Sequence, residues 1–433
     1  MKNKLYQTTP KCILALGCIM VVTSIILAAC GTANKSASQD HGNKTVQTEP
    51  SHSTYTQTNS NDLIDFGSSN FKKLSKKFQS LANNNTQKNS TINIIQLGDS
   101  HTASDTLTGI LRKQLQQQFG DAGIGWITPM NVSGQRHGLV NFQSSKWQLT
   151  SSRTSKNADF PMGGYLATPT EAGAQINLTP RQPSNERWQV KLIVKSPSQS
   201  PLTLSDSGNQ SITLSPKKAS NAWQEVEAEV SLPLTITANA AYQTQLGGIW
   251  LTKKNASGVT MSPIGTNGIQ QTNWRLWSDQ WTEQLANSNA DLVILAYGTN
   301  EAFNSNLDVT DMENALRLGI RMVKNSLPDA TILIIGAPDS MRSKASRDLT
   351  CEQRQPAMLQ QVKQAQLRVA QQEKTLYWDW QKAMGGDCSI LQWQQEGLAA
   401  RDLVHFSNSG YQKSAEILYN DLMSLAGIKK KSY

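Results

Sequence analysis

Histidine and cysteine are scarce in this chain of 433 residues, with five of each. No group of His, Cys, Asp and Glu has metal-ligand spacing, so no catalytic metal is expected. With so few imidazoles, a reaction needing a general base must draw on a short set. The chain also has no internal repeat at solenoid periods, which excludes a stacked-repeat architecture. Positive charge exceeds negative, with a formal net charge of +9, yet it forms no stripe: Lys253-Lys254 and Lys429-Lys430-Lys431 are local clusters. This argues against nucleic acid as a partner and leaves room for attraction to an anionic polymer or a membrane surface.

What is present begins with an N-terminal segment that is not part of a fold. Lys2, Lys4 and Lys11 precede an apolar run from Cys12 to Ala29. The run ends in Leu27-Ala28-Ala29-Cys30, which resembles the lipobox of bacterial lipoproteins. Residues 1–29 are therefore expected to be a cleaved signal peptide and Cys30 the acylated first residue; the alternative is an uncleaved membrane anchor. Either places the remainder outside the cytoplasm, facing the periplasm, with lipid attachment to a bacterial membrane (the outer membrane by preference). Residues 30–61 have almost no large apolar side chains and read as a flexible tether, so His41 and His52 are expected to be solvated. Loss of the three signal lysines leaves a charge of +6. It also leaves Cys351 and Cys388 as the cysteines of the folded part, and in an oxidising compartment they are expected to pair; two buried thiols are the alternative.

The remaining ~370 residues exceed an ordinary single core. Residues 92–97 read as a buried strand, and Leu107, Ile110, Leu111, Leu115 and Phe119 follow at helical spacing. The same alternation returns at 290–298 (strand), 309–326 (helix), 330–338 (strand), 356–373 (helix), 375–380 (strand) and 409–425 (helix). It predicts an α/β fold, a parallel sheet with helices on both faces, whose ligands bind at the carboxyl ends of the strands. Ser100, Asn300 and Asp339 fall just past such ends. Residues 128–260 break the alternation with short runs such as WQLTS, AQINLTP and WQVKLIVKS. They predict an inserted β-sandwich or jelly roll between two parts, 62–127 and 261–433, of one α/β domain.

Strand 92–97 ends in Gly98-Asp99-Ser100. A serine there is either a helix cap or a nucleophile. A nucleophile needs a base. His101 adjoins Ser100 and is expected to point away from it, and His137 lies near the start of the insertion. His405 sits in RDLVHFSNSGY, with Asp402 three residues earlier on the same turn, placed to hold one ring nitrogen. Asn300, in YGTNEA, is either a turn residue or an amide donor for an oxyanion. Gly268, in GTNGIQQ, offers an unobstructed backbone N–H, with Gly265 as the competitor for that role. Trp274, Trp277 and Trp281 recur at i, i+3 and i+7, a stripe that reads as core before it reads as a sugar platform; Trp147, Trp188, Trp223 and Trp250 pose the same choice.

Gly-Asp-Ser, a glycine, Gly-x-Asn and Asp-x-x-His, in this order, resemble the four blocks of the SGNH (GDSL-type) hydrolases. Gly-Asp-Ser-His-Thr-Ala, the long insertion and Gly-Thr-Asn-Glu-Ala resemble the bacterial peptidoglycan O-acetylesterases, across most of residues 92–425. The insertion then corresponds to a carbohydrate-binding-like β module. The resemblance implies Ser100 as nucleophile, His405 as base, Asp402 as its partner, and an oxyanion hole of Ser100 N–H, Gly268 N–H and the Asn300 side chain. It implies removal of acetyl groups from O-acetylated muramic acid through an acetyl-enzyme, with no cofactor. One departure is Glu301, where many relatives have Asp; little effect is expected from it. The rival readings are an esterase for another acylated glycan or a lipid, which a deep apolar pocket would favour, and a non-catalytic cell-wall binding lipoprotein.

Overall fold

Strands that are apolar on every residue need cover on both faces. The computed structural model, which describes residues 62–83, 90–346 and 348–429, supplies it. Residues 1–61, where a signal peptide, acylated Cys30 and a tether are expected, lie outside the described residues. Strand Thr91–Gly98 lies inside a six-stranded sheet, between Gly258–Gly265 and Leu292–Ala296, followed by Thr331–Ile335, Leu376–Trp378 and, at the edge, Leu63–Asp65. Five strands are parallel; the edge strand runs antiparallel to Leu376–Trp378. The sheet is therefore mixed where a wholly parallel one was expected. Three residues at an edge carry too little periodicity to be read as a strand.

The period of two along each strand sorts side chains between two cores. Ile92, Ile94, Leu292, Ile294, Leu333 and Ile335 enter one, with helices Phe71–Ala82, Leu107–Phe119 and Asn408–Leu425. Ile95, Leu97, Val293, Leu295, Ile332 and Ile334 enter the other, against Leu316, Ile320 and Val323 of helix Val309–Ser326. Among the described residues no helix is long and apolar enough to cross a membrane.

The intervening segment folds as two antiparallel sheets. One contains Val140–Ser145, Ala174–Pro180, Leu202–Asp206, Ser211–Leu214 and Leu234–Ala238; the other is built around Trp188–Ser196 and Gln245–Lys253. Their inner faces share a core that includes Ile176, Leu192, Leu204, Ile236 and Ile249. The strand pairing crosses both expected boundaries of the insertion. Gly258–Gly265 pairs in parallel register with Thr91–Gly98, so the α/β sheet resumes before residue 261. Gly123–Ile127 pairs with Gln245–Lys253, so the sandwich has begun before residue 128. Ile193, Trp223 and Trp126 join the second core of the α/β sheet, so the two layers are fused through apolar contact.

A polar brace also joins them. Arg112 makes a two-pronged ion pair with Asp105, at 2.8 and 3.1 Å, with both side chains buried. Asp105 further accepts from Thr108 Oγ1 and from the backbone N–H of Gly138 at the start of the insertion, and His137 Nε2 faces it at 3.6 Å. Burial alone would raise the Asp105 pKa, but Arg112, His137 and Thr108 outweigh it and hold the carboxyl well below the usual range. Removing one member of a buried pair strands the other. Arg112→Met should therefore cost about 3–5 kcal/mol in urea denaturation at neutral pH. The loss should shrink as the pH is lowered and the stranded carboxyl takes up a proton; a cost that did not vary with pH would mean that the charge of Asp105 is not the cause.

Candidate active site

Glycine at the end of strand Thr91–Gly98 lets the chain reverse at once into the short helix Ser100–Ala103. A Cβ on Gly98 would lie 2.1 Å from Thr102 Oγ1 and 2.7 Å from the Ala296 carbonyl, so no larger residue fits. Asp99 caps the helix, its Oδ1 accepting from the His101 N–H. Ser100 is the first helical residue, where the backbone N–H has no intrahelical acceptor.

The opposite wall comes from the far end of the chain. Asp402 Oδ1 accepts from the backbone N–H groups of Val404 and His405, which turns the carboxylate towards the imidazole. Asp402 Oδ2 lies 2.7 Å from His405 Nδ1, and His405 Nε2 lies 2.8 Å from Ser100 Oγ. Residues 305 apart in sequence thus form one hydrogen-bonded line. Partial burial raises the Asp402 pKa, but the imidazole and the two backbone donors more than offset this, keeping the carboxyl ionised. His101 is buried behind the line, its Nδ1 at 2.9 Å from Tyr411 Oη and its ring 5.3 Å from that of His405. Burial pushes its pKa down to about 3, so it is a neutral packing surface beneath His405. His137 is remote from the line and belongs to the Asp105 brace.

Gly268 and Asn300 line one cavity of about 400 Å³, with Arg153, Lys156, Ile269, Gln270, Asn273, Phe303 and Asn304. Its walls are mainly polar. Gly265 sits instead at a strand end, where a Cβ would lie 2.4 Å from Ala103 N. Asn300 Nδ2 donates to the Ile269 carbonyl at 2.9 Å and to Asp99 Oδ2 at a long 3.4 Å. The seven tryptophans of the stripe and the insertion offer no exposed platform. Trp274, Trp277 and Trp281 pack on one another with centroids 5.4–5.7 Å apart; Trp147, Trp188 and Trp223 are buried and Trp250 is half-buried.

Two residues matter more than their sequence context suggested. Glu301, expected to have little effect, is buried, with one carboxylate oxygen accepting from Gln271 N–H at 2.7 Å and the other from Gly298 N–H at 3.0 Å. It therefore clamps the segment after Gly268 to the turn carrying Asn300. Asp99 is a second buried carboxyl under the same turn. Burial, reinforced by Glu301, pushes its pKa up from 3.8 to about 7 against the His101 and Thr299 hydrogen bonds. The Asp99 cap on His101 and the Glu301 contact with Gly298 are local, but the clamp of Glu301 on Gln271 N–H, 30 residues away, has no sequence signal.

Cys351 and Cys388 form a disulfide with Cα atoms 6.0 Å apart, closing 37 residues. Asp339, buried after its strand, accepts from Gln355, Gln381 and the Ile390 N–H, tying both half-cystine loops to the sheet edge. From that loop Met341 N–H donates to the Leu403 carbonyl, next to Asp402.

The N-terminal region model of the peptidoglycan O-acetylesterases matches residues 122–235, and that of the GDSL-like lipase/acylhydrolase family matches residues 229–413. A solved peptidoglycan O-acetylesterase is 40% identical, with a TM-score of 0.75, over 84% of this chain and 99% of its own. A carbohydrate-binding module of a Cellvibrio mixtus lichenase, solved with cellotriose, shares 19% identity over 30% of this chain and 98% of its own, with a TM-score of 0.22. A family two carbohydrate esterase from Cellvibrio japonicus shares 12% over 66% and 98%, with a TM-score of 0.24. The last two scores are too low to bear on function. No curated protein sequence matches significantly.

Two outcomes follow from the carboxyl and the crosslink. An acid whose folded pKa is raised binds its proton more tightly in the native state, so its contribution is complete below the unfolded pKa and is lost as pH rises to the folded one. Between about pH 4 and pH 7 the wild type should lose thermal stability relative to Asp99→Asn, the gap levelling off above that window; parallel melting curves would exclude titration of Asp99. Opening the disulfide should remove about 3–4 kcal/mol, the loop entropy of a closure of this length. Reduction, or Cys351→Ser with Cys388→Ser, should lower Tm and slow esterase turnover through Met341 and Leu403. Unaltered turnover would show that the loop does not support Asp402.

Proposed function

The chain belongs to the peptidoglycan O-acetylesterases, serine esterases of the GDSL-type acylhydrolases that remove O-acetyl groups from peptidoglycan, and from that membership we propose roles for its residues. The observation that carries the assignment is the line from Ser100 through His405 to Asp402. His405 Nε2 takes the proton of Ser100 Oγ as the oxygen attacks the acetyl carbonyl carbon. Asp402 holds Nδ1–H and stabilises the imidazolium. The carbonyl oxygen becomes an oxyanion, and its donors are the Ser100 and Gly268 N–H groups and the Asn300 side chain. The long Asn300–Asp99 contact is the one such an oxygen would displace.

The tetrahedral intermediate then collapses. The bond to the muramic acid oxygen breaks, and the sugar alcohol leaves with the proton from His405 Nε2. Water gives a proton to His405, attacks the acetyl-serine, and acetate departs as Ser100 recovers its proton. The polar walls around Gly268 and Asn300 suit a short acyl group on a glycan better than a lipid chain. For location we propose a periplasm-facing lipoprotein anchored through Cys30. The lysine-led apolar segment ending in Leu27-Ala28-Ala29-Cys30 supports that reading.

Acetate release from O-acetylated cell wall, with de-O-acetylated wall as control, tests the whole. Ser100→Ala should abolish release while leaving the fold intact; turnover near wild type would reject Ser100. Asn300→Ala should lower kcat by roughly 10²–10³ with a smaller change in KM, because its donor matters once charge develops on the oxygen. A change confined to KM would make Asn300 a ground-state binding residue.

A further inference from the structure

The cavity beside the oxyanion donors has two sides of different origin. The α/β domain supplies Gly268, Asn300 and their neighbours; the inserted module supplies Arg153 and Lys156. A Cβ built on Gly268 would lie 3.1 Å from the Arg153 guanidinium carbon, so the guanidinium lies directly over that glycine. Gly268 has φ +72°, a second reason for glycine there. No acidic residue lines the cavity. Among the described residues, Lys146 of the module pairs with Glu171, Arg187 with Asp206 and Glu229, Lys191 with Glu225 and Lys195 with Asp159, while Arg136, Arg181, Lys217 and Lys218 form no ion pair; Arg153 and Lys156 differ from these four in lining the cavity at Gly268 and Asn300. Arg153 and Lys156 are exposed, and no such ion pair holds either of them.

Two unpaired cations facing an acid-free pocket are complementary to an anion. A guanidinium offers a planar fork that matches a carboxylate. The cavity is also larger than an acetyl group needs, so more of the substrate than the reacting ester can enter it. Peptidoglycan carries carboxylates close to the acetylated sugar. Muramic acid bears a lactyl ether whose carboxyl is free in stem-less glycan, and the stem peptide attached there otherwise brings carboxyls of its own.

We propose that Arg153 and Lys156 form a carboxylate subsite, through which the inserted module selects acetyl esters on acidic muramyl glycan and seats them over Gly268 and Asn300. The subsite rests on the esterase reading above and adds to it what the module does for the substrate: it contributes positive charge beside the reacting centre, for a carboxylate away from the ester. Arg153 and Lys156 act on a substrate group remote from the ester, so their effect falls on binding of acidic substrate.

The test compares full-length wild type with Arg153→Gln, Lys156→Gln, the double variant and Arg153→Lys. Four acetyl esters serve as probes: intact O-acetylated peptidoglycan, the same glycan stripped of stems by an amidase, intact material whose carboxyls have been amidated, and neutral p-nitrophenyl acetate. On carboxylate-bearing glycan the double variant should lose about tenfold or more in kcat/KM, mostly through KM, as for loss of a charged hydrogen bond. Arg153→Lys should retain part of the effect, and added salt should narrow the gap. The penalty should be several-fold smaller on amidated glycan and on the neutral ester. A penalty confined to stem-less glycan identifies the lactyl carboxylate, and one confined to stem-bearing glycan identifies the peptide; either supports the subsite. An equal loss on all four esters, or a loss in kcat alone, would mean that the guanidinium acts on the oxyanion, and would overturn the proposal. Wild-type turnover of peptidoglycan with no penalty in the double variant would overturn it as well. Wild type that released no acetate from any peptidoglycan would instead refute the esterase reading, and the subsite with it.

Discussion

Everything at the active edge depends on backbone packing against backbone where two strands end side by side. Gly98 and Gly265 are partners in the parallel register, and each carries no side chain at a point where a Cβ would overlap the neighbouring chain. Their absence of side chains allows helix Ser100–Ala103 to start one residue after Asp99 and to lie on the end of the sheet. Ser100 is therefore held by a steric constraint, with no long side-chain network needed to aim it. A serine on a looser turn would sample orientations away from His405, and the effective concentration of the nucleophile would fall.

Around this turn, buried carboxylates organise donors. Glu301 holds the segments of Gly268 and Asn300 together through two backbone N–H groups, and Asp99 caps the nucleophile helix while touching Asn300. Both are acids whose pKa burial pushes upward. The resulting cost in stability near neutral pH is retained at the place where donors must be fixed before charge develops on the substrate, as preorganised stabilisation requires. The inserted module belongs to the same construction. It shares an apolar core with the α/β sheet through Ile193 and Trp223, is pinned by Asp105 to the helix after the nucleophile, and sends Arg153 across to Gly268.

Period and spacing along the chain determined much of this. Both-face apolar strands and amphipathic helices at 3.6-residue spacing specify an α/β layer, because burial of those patterns has few solutions. Asp402 and His405 share one turn, so their contact is local and readable. The glycine that ends strand Thr91–Gly98, followed by Asp99, marks the turn that bears Ser100. The edge strand Leu63–Asp65 and the crossing of both insertion boundaries were not readable, since a strand of a few residues belongs to whichever sheet has a free edge beside it. The pairing of Cys351 with Cys388 was readable by elimination; what only the tertiary structure decided is the geometry between segments far apart, the 2.8 Å approach of Ser100 to His405, the clamp of Glu301 on Gln271 and the placing of Arg153 over Gly268. Such relations depend on closing loops of tens to hundreds of residues around a packed core, and no residue carries a local preference for a partner it meets only after the chain has folded.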